Sequence, residues 1–280
     1  MKKLLIVLTT ALLSSCYDSS LLEETNVKGC TNPQSVNYNP NAYIDDGSCV
    51  FVEKKQNSIF GKFTATWCGP CGDWGGPAFT NFHQQNSEDV LGISLQVNDN
   101  FTTSENGSLV DEFATKWQYT GTPNFFANET FVGTSVNQLQ SIIDSKNSES
   151  PKLAIGVHKT IGAGKNAGKY NINVYIKAYE NLSGQYNLSV LYLHKDIIAS
   201  QNTGSGYDNG YIHHHVLIKS AIPYGAFGEP IFNGMDSGEV YRWSKVIDYD
   251  ENWDLEKIEL VFIVWKNTGS GYEFINSTTN

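Results

Sequence analysis

The chain has little basic charge. Its 280 residues carry 19 lysines and arginines against 29 aspartates and glutamates, a formal net charge of −10, and only 17% of the residues are charged. A surface of that sign repels phosphate backbones, so the sequence predicts no nucleic-acid partner. With so few charges, the surface falls to Asn, Ser, Thr and Tyr. The apolar run at the N-terminus, Leu4 to Leu13, is too short to span a bilayer as a stable helix, which needs about 20 residues. Cysteines are few as well, five in all. Apolar residues, by contrast, are not scarce: a 40% hydrophobic share with 12% aromatics excludes a disordered chain and suffices for the cores of two ordinary domains.

The short positive start Met1-Lys2-Lys3 followed by that apolar run reads as a signal peptide over residues 1–15. The run ends in Leu13-Ser14-Ser15-Cys16, which resembles a bacterial lipoprotein box. The resemblance implies cleavage before Cys16 and a lipid on its sulfur, hence a membrane partner through that anchor; ordinary cleavage with a leftover thiol is the alternative. The other cysteines then pair by place, Cys30 with Cys49 and Cys68 with Cys71. An exported chain meets an oxidising compartment, so Cys30–Cys49 reads as a structural disulfide.

Residues 16–52 divide into a polar linker and a turn-rich module. Asn32-Pro33, Asn39-Pro40 and Asp46-Gly47 are turn signals, and the apolar content is low, so the disulfide has to hold the module together. Side-chain oxygens of Asn37, Asn39, Asn41 and Asp45 alternate as in a calcium loop. Against calcium, Ala42 stands where the sharp turn needs Gly, and no Glu closes the loop. The segment resembles a Cys-Asp-Gly-Ser-Cys module of bacterial surface lipoproteins, which implies location rather than activity.

The most specific chemistry lies in Trp67-Cys68-Gly69-Pro70-Cys71, after the β-prone run Ser58 to Thr66 and before a predicted helix from Cys71 to Gln85. At a helix start the first sulfur meets free N–H groups and the positive end of the dipole, which stabilise thiolate, and the second thiol can close a ring. Pro70 fits the first turn, where its missing N–H costs nothing. Gly72, Gly75, Gly76 and Pro77 weaken the next turns and predict a bend there. Alternating strand and helix signals continue to Ser150: a strand over Val90 to Val97, a helix over Leu109 to Trp117, a strand entered at Thr120 to Ala127, and a helix from Val136 to Ser145 capped by Ser135.

Trp67-Cys68-Gly69-Pro70-Cys71 together with Thr122-Pro123 resembles thioredoxin. The resemblance implies a thioredoxin-like α/β domain over residues 53–150, Cys68 as nucleophile, Cys71 as resolving thiol, and a cis Pro123 shaping the groove where an extended substrate docks. One departure stands out. The family's buried acid, six residues before the nucleophile, is Lys62 here. A shifted register or an amine reaching solvent is the expectation for it.

Residues 151–280 show strand signals only, from Leu153 to Lys159 through Leu255 to Trp265. Alternation such as Tyr170, Ile172, Val174, Ile176, Ala178 predicts one buried face, and the whole predicts an immunoglobulin-like β-sandwich domain. His213-His214-His215 sits within one strand, with His213 and His215 on the same face. Two side chains make no zinc site, and His158, His194 and Glu229 add ligands by type only, so no metal and no cofactor is predicted. The run Tyr211 to Leu217 followed by Gly225-Ala226-Phe227-Gly228-Glu229 resembles the second domain of the Omp-twenty-eight-related outer membrane lipoproteins. Over residues 53–280 that family implies a thioredoxin-like domain joined to a β-sandwich, at the periplasmic or surface face of the outer membrane.

Two functions follow. One is an envelope thiol:disulfide oxidoreductase acting on a protein disulfide or redox partner through Cys68 and Cys71. The other is a surface binding or adhesion lipoprotein that uses the same frame as a scaffold and keeps Cys68–Cys71 oxidised.

Overall fold

The computed structural model describes residues 27–280; the expected leader and Cys16 lie outside them. The chain divides into two compact units, residues 1–49 and 50–280. In the first, Lys28–Gly29 pairs in parallel with Ile44–Asp45, and Cys30 is bonded to Cys49 with Cα atoms 4.7 Å apart. Two of the side chains that resemble a calcium set, Asn39 and Asp45, spend their oxygens on the unit's own backbone and side chains. Asn39 Oδ1 accepts from the Asn41 N–H at 3.0 Å, Asp45 Oδ1 from the Gly47 N–H at 2.8 Å, and Asp45 Oδ2 from the Thr31 hydroxyl at 3.2 Å.

The second unit opens with β1 (Ser58–Thr64), which is buried along its whole length and lies between β2 (Val90–Gln96) in parallel and β3 (Asn124–Ala127) in antiparallel register. A fourth strand, β4 (Thr130–Gly133), pairs with β3. Three helices cover these strands: α1 (Gly76–Asn86), α2 (Ser104–Lys116) and α3 (Val136–Asn147). The glycine-rich turns after Cys71 form one π-helical segment, Cys71–Gly75, that runs on into α1. Thr103 starts α2 earlier than apolar periodicity alone suggests: its hydroxyl accepts from the Asn106 N–H, and Asn106 Oδ1 accepts from the Thr103 N–H. Ser135 stands at the start of α3 without a side-chain cap bond.

The remaining long strands are β5 (Leu153–Ile161), β6 (Lys169–Ala178), β7 (Leu182–Ile198), β8 (Ile212–Ser220), β9 (Glu229–Met235), β10 (Val240–Asp248), β11 (Ile258–Asn267) and β12 (Tyr272–Thr279), and between β7 and β8 the two-residue stretches Gln201–Asn202 and Tyr207–Asp208 pair antiparallel as a small hairpin. A three-stranded antiparallel sheet runs β10-β6-β5, and the larger sheet runs β12-β11-β7-β8-β2-β1-β3-β4, with β9 also on β7. The two sheets pack face to face through Ile172, Val174, Ile176 and Trp243 on one side and Leu188, Val190, Phe262 and Val264 on the other.

A self-contained sandwich beginning at 151 does not describe this architecture. The larger sheet crosses that position, since β8 lies parallel to β2 at Val216 and Ser94, and Ser94 Oγ donates to the His214 carbonyl at 2.7 Å. The reason is in the side chains. Strands β7 and β11 are apolar on both faces: Leu188, Val190, Phe262 and Val264 face the small sheet, whereas Leu191, Leu193, Val261, Ile263 and Trp265 face away from it. A sandwich buries only one of those faces. The other is covered by Leu109, Val110, Phe113 and Trp117 of α2, which also cover Leu91, Ile93 and Leu95 of β2. Each such side chain contributes roughly 1.5–3 kcal/mol on full burial, so one helix serves strands from both halves of the sequence.

Candidate functional site

Strand β1 ends at Thr64, and the next seven residues carry the two sulfurs. Cys68 and Cys71 are joined as a disulfide and are 4% and 1% exposed, with Ala65 packed against them. The Cys71 N–H lies 3.2 Å from Cys68 Sγ and also donates to the Cys68 carbonyl at 3.1 Å. Pro70 precedes the π-helical segment and is exposed. Trp67 is half exposed and is held by its Nε1–H, which donates to the Asn98 carbonyl at 3.0 Å. The Thr66 N–H donates to Asp99 Oδ2 at 2.9 Å, and burial raises the Asp99 carboxyl above its usual range.

The peptide bond Thr122–Pro123 is cis, and Pro123 is buried. A Cβ built on Gly75 would lie 2.7 Å from Pro123 Cβ, so the proline packs directly on the segment that begins with Cys71 and requires glycine there. Trp74, exposed, has its ring centre 6.0 Å from that of Phe125, two residues beyond the proline, with the planes tilted by 46°. Cys68, Cys71, Pro123, Trp67 and Trp74 thus lie on three neighbouring segments at the C-terminal end of β1.

Lys62 corrects the sequence expectation. It is in register, opposite Ser94 and Phe125, and it is buried rather than reaching solvent. Its Nζ lies 4.7 Å from the centre of the Phe79 ring on α1, and burial pushes its amine down to about 7. His213, also buried, lies near enough for the Lys62 charge to add to burial in pushing its imidazole down to about 4. Its ring packs against Phe101 and Tyr211 at 4.9 Å each.

His214 and His215 face carboxylates, and His83 packs ring to ring with His215. His214 meets Asp196 across the β7–β8 ladder at 2.5 Å. His215 departs from regular strand geometry with φ 51°, lies 3.1 Å from Glu259, and has its ring 4.3 Å from that of His83. Burial and that neighbour hold His83 down to about 4. Glu229 accepts from Trp243 Nε1 and from Lys245 at 2.7 Å, while His158 and His194 lie on β5 and β7. Among the described residues no group of three or more His, Cys, Asp or Glu is placed to hold a metal ion.

Sequence reasoning missed Gln201 and Asn202. They lie in the loop between β7 and β8, and Gln201 Nε2 donates to the carbonyls of Ala65 at 3.1 Å and Cys68 at 2.9 Å. The Asn202 N–H donates to the Thr66 carbonyl at 2.8 Å, and its Nδ2 to the Trp67 carbonyl at 3.0 Å. The local signal, Asn and Gly between two strands, reads only as a turn.

Among the described residues no helix is long and apolar enough to cross a membrane. The chain matches no curated protein. It is similar in fold to HBP35 of Porphyromonas gingivalis, with a TM-score of 0.66 at 16% identity over 81% of this chain and 76% of that one. A domain of the outer membrane lipoprotein Omp28 from the same organism matches 47% of this chain and 88% of its own length at 16% identity, with a TM-score of 0.29. A family model described as outer membrane protein Omp28 matches residues 110–278, which takes in Pro123, the β7–β8 loop and the whole small sheet but not the two sulfurs. The chain therefore belongs to the Omp28 family, and its place is the outer membrane of the cell envelope.

Proposed function

We propose that the protein is a lipid-anchored thiol:disulfide oxidoreductase of the cell envelope, acting on protein disulfides through Cys68 and Cys71. The observation that carries the reading is the cis Pro123 packed on the segment that begins with Cys71, beside the exposed Trp67 and Trp74. The strand order β2-β1-β3-β4, with the disulfide after β1 and the proline before β3, supports a thioredoxin-like arrangement of this part. In the reducing direction, Cys68 thiolate attacks one sulfur of the substrate and displaces the other as thiolate. Cys71 thiolate then attacks Cys68 Sγ, releasing the second substrate thiolate and re-forming Cys68–Cys71, so two electrons pass to the substrate. An envelope donor has to return them. The test is trapping: Cys71→Ser should accumulate a mixed disulfide with a protein substrate, and Cys68→Ser should abolish both trapping and turnover. Full turnover with Cys68→Ser would overturn the reading.

A second reading, a surface binding or adhesion lipoprotein with a permanent disulfide, is favoured by the near-complete burial of both sulfurs. Under it, Cys68–Cys71 resists reduction at potentials below about −300 mV, against roughly −270 mV for a thioredoxin-type reductant, and partner binding survives Cys68→Ser.

A further inference from the structure

The backbone that presents the disulfide is gripped by a remote piece of chain. Four successive carbonyls, those of Ala65, Thr66, Trp67 and Cys68, each accept a hydrogen bond from Gln201 or Asn202, in addition to the local bonds that the Ala65 carbonyl accepts from the Cys68 N–H and the Cys68 carbonyl from the Cys71 and Gly72 N–H groups. The grip is close. A Cβ on Gly72 would fall 2.3 Å from the Asn202 carbonyl oxygen, and one on Gly69, between the two cysteines, would lie 3.0 Å from the Gly204 nitrogen. The loop's turn is set by Gly204 N–H donating to Asn202 Oδ1 at 3.0 Å and Thr203 N–H to the Gly206 carbonyl at 2.8 Å. Gln201 is 2% exposed, whereas everything from Thr203 to Gly210 is exposed or only partly covered, Tyr207 included. The loop therefore holds its place by hydrogen bonds of modest net strength and by fit rather than by apolar burial, the composition of a segment that opens locally.

We propose that residues 199–211 form a strap over the disulfide, with Gln201 and Asn202 fixing the carbonyls of Ala65 to Cys68 and Gly204 lying over Gly69, so that the Cys68–Cys71 bond is reached only when the strap lifts. An extended polypeptide approaching the two sulfurs competes with the strap for the carbonyls of Thr66 and Trp67. The strap is then an access control in cis, and Gln201 and Asn202 are positioning residues. The inference rests on the reading of Cys68–Cys71 as a reactive pair, but it is tested by access rather than turnover.

The experiment follows reduction of the oxidised full chain by excess dithiothreitol, with thiols alkylated at intervals and counted by mass spectrometry. One thiolate of the reagent attacks Cys68 Sγ and the Cys68–Cys71 bond breaks with its electron pair leaving on Cys71. The second reagent thiol then closes the cyclic disulfide, so the protein gains two electrons and two protons. Cys30–Cys49 serves as the reference on the same molecule. Gln201→Ala and Asn202→Ala should each speed reduction of Cys68–Cys71 by about tenfold, the shift expected when one or two such bonds are lost, with Cys30–Cys49 unchanged. Gly72→Ala, which leaves every strap residue unchanged but drives a Cβ against the Asn202 carbonyl from the disulfide side, should do the same. Gains below about threefold in all three variants, with wild-type circular dichroism, would overturn the strap. Should the variants fail to fold, hydrogen exchange of the oxidised wild-type chain decides. An Asn202 amide protected about tenfold or more supports a closed strap, and one exchanging like an unstructured peptide overturns it. A chain that passes this test yet traps no protein substrate with Cys71→Ser loses the proposed activity and keeps the strap.

Discussion

At the scale of the residue, three titratable groups held down by desolvation, Lys62, His83 and His213, contribute to the pH dependence of stability. Lys62 is pushed down to about 7 from an ordinary value of 10.5. Between those values the unfolded chain binds the additional proton, so stability rises with pH from about 7 to 10.5, and below 7 the full cost of burying the charge is present. Lys62→Met keeps the stem over Phe79 and removes the charge. It should stabilise the protein at pH 7 by about 1–4 kcal/mol in urea unfolding and flatten the rise above pH 7; equal stability of the two proteins would refute the assignment. His83 and His213 are each held down to about 4 from 6.5, so the unfolded chain binds more protons between those values and stability falls as pH drops through that window. Replacing either by Phe, whose ring fits the same aromatic surroundings, should shrink the loss between pH 6.5 and 4 seen in denaturant midpoints. Sequence places Lys62 six residues before Cys68 but says nothing of its burial, because burial comes from Phe79 on α1 and from β8, over 150 residues away.

At the scale of the element, local chemistry is legible wherever the chain satisfies its own backbone. The π-helical departure from regular helix after Cys71 falls where four of six residues are poor helix formers, Gly72, Gly75, Gly76 and Pro77. The start of α2 follows from Thr103 and Asn106, which cap each other. Thr103→Ala should cost about 1 kcal/mol of stability, read as a fall in the urea midpoint at constant slope; no change would mean that packing alone fixes the end of α2. The strap is the contrary case. Its bonds to the disulfide segment run to carbonyls more than 130 residues earlier, so no window of sequence contains both partners.

At the scale of the whole molecule, the shared sheet and the shared helix tie the halves of residues 50–280 into one unit. That unit should melt in one calorimetric transition, with the calorimetric enthalpy equal to the van't Hoff value; two separated transitions would mean independent halves. A chain cut after residue 150 loses Leu191, Leu193, Leu217 and Trp265 from the face of α2. It should bind hydrophobic dye and aggregate, whereas a soluble cooperative fragment would contradict the shared core. What the sequence determined by itself is local or compositional: the two cysteine pairs, the helix-poor glycines after Cys71, the alternating strands and the family resemblance. Each is read from a short motif, from a spacing such as the 19-residue separation of Cys30 and Cys49, or from totals over the chain. What only tertiary structure decided is which surfaces meet. Strands apolar on both faces state that two partners are needed but not which, and a polar loop states that its donors need acceptors but not where. Here the partners are α2 for the strands and the carbonyls beside Cys68 for the loop, chosen by the one packing that buries the former and satisfies the latter.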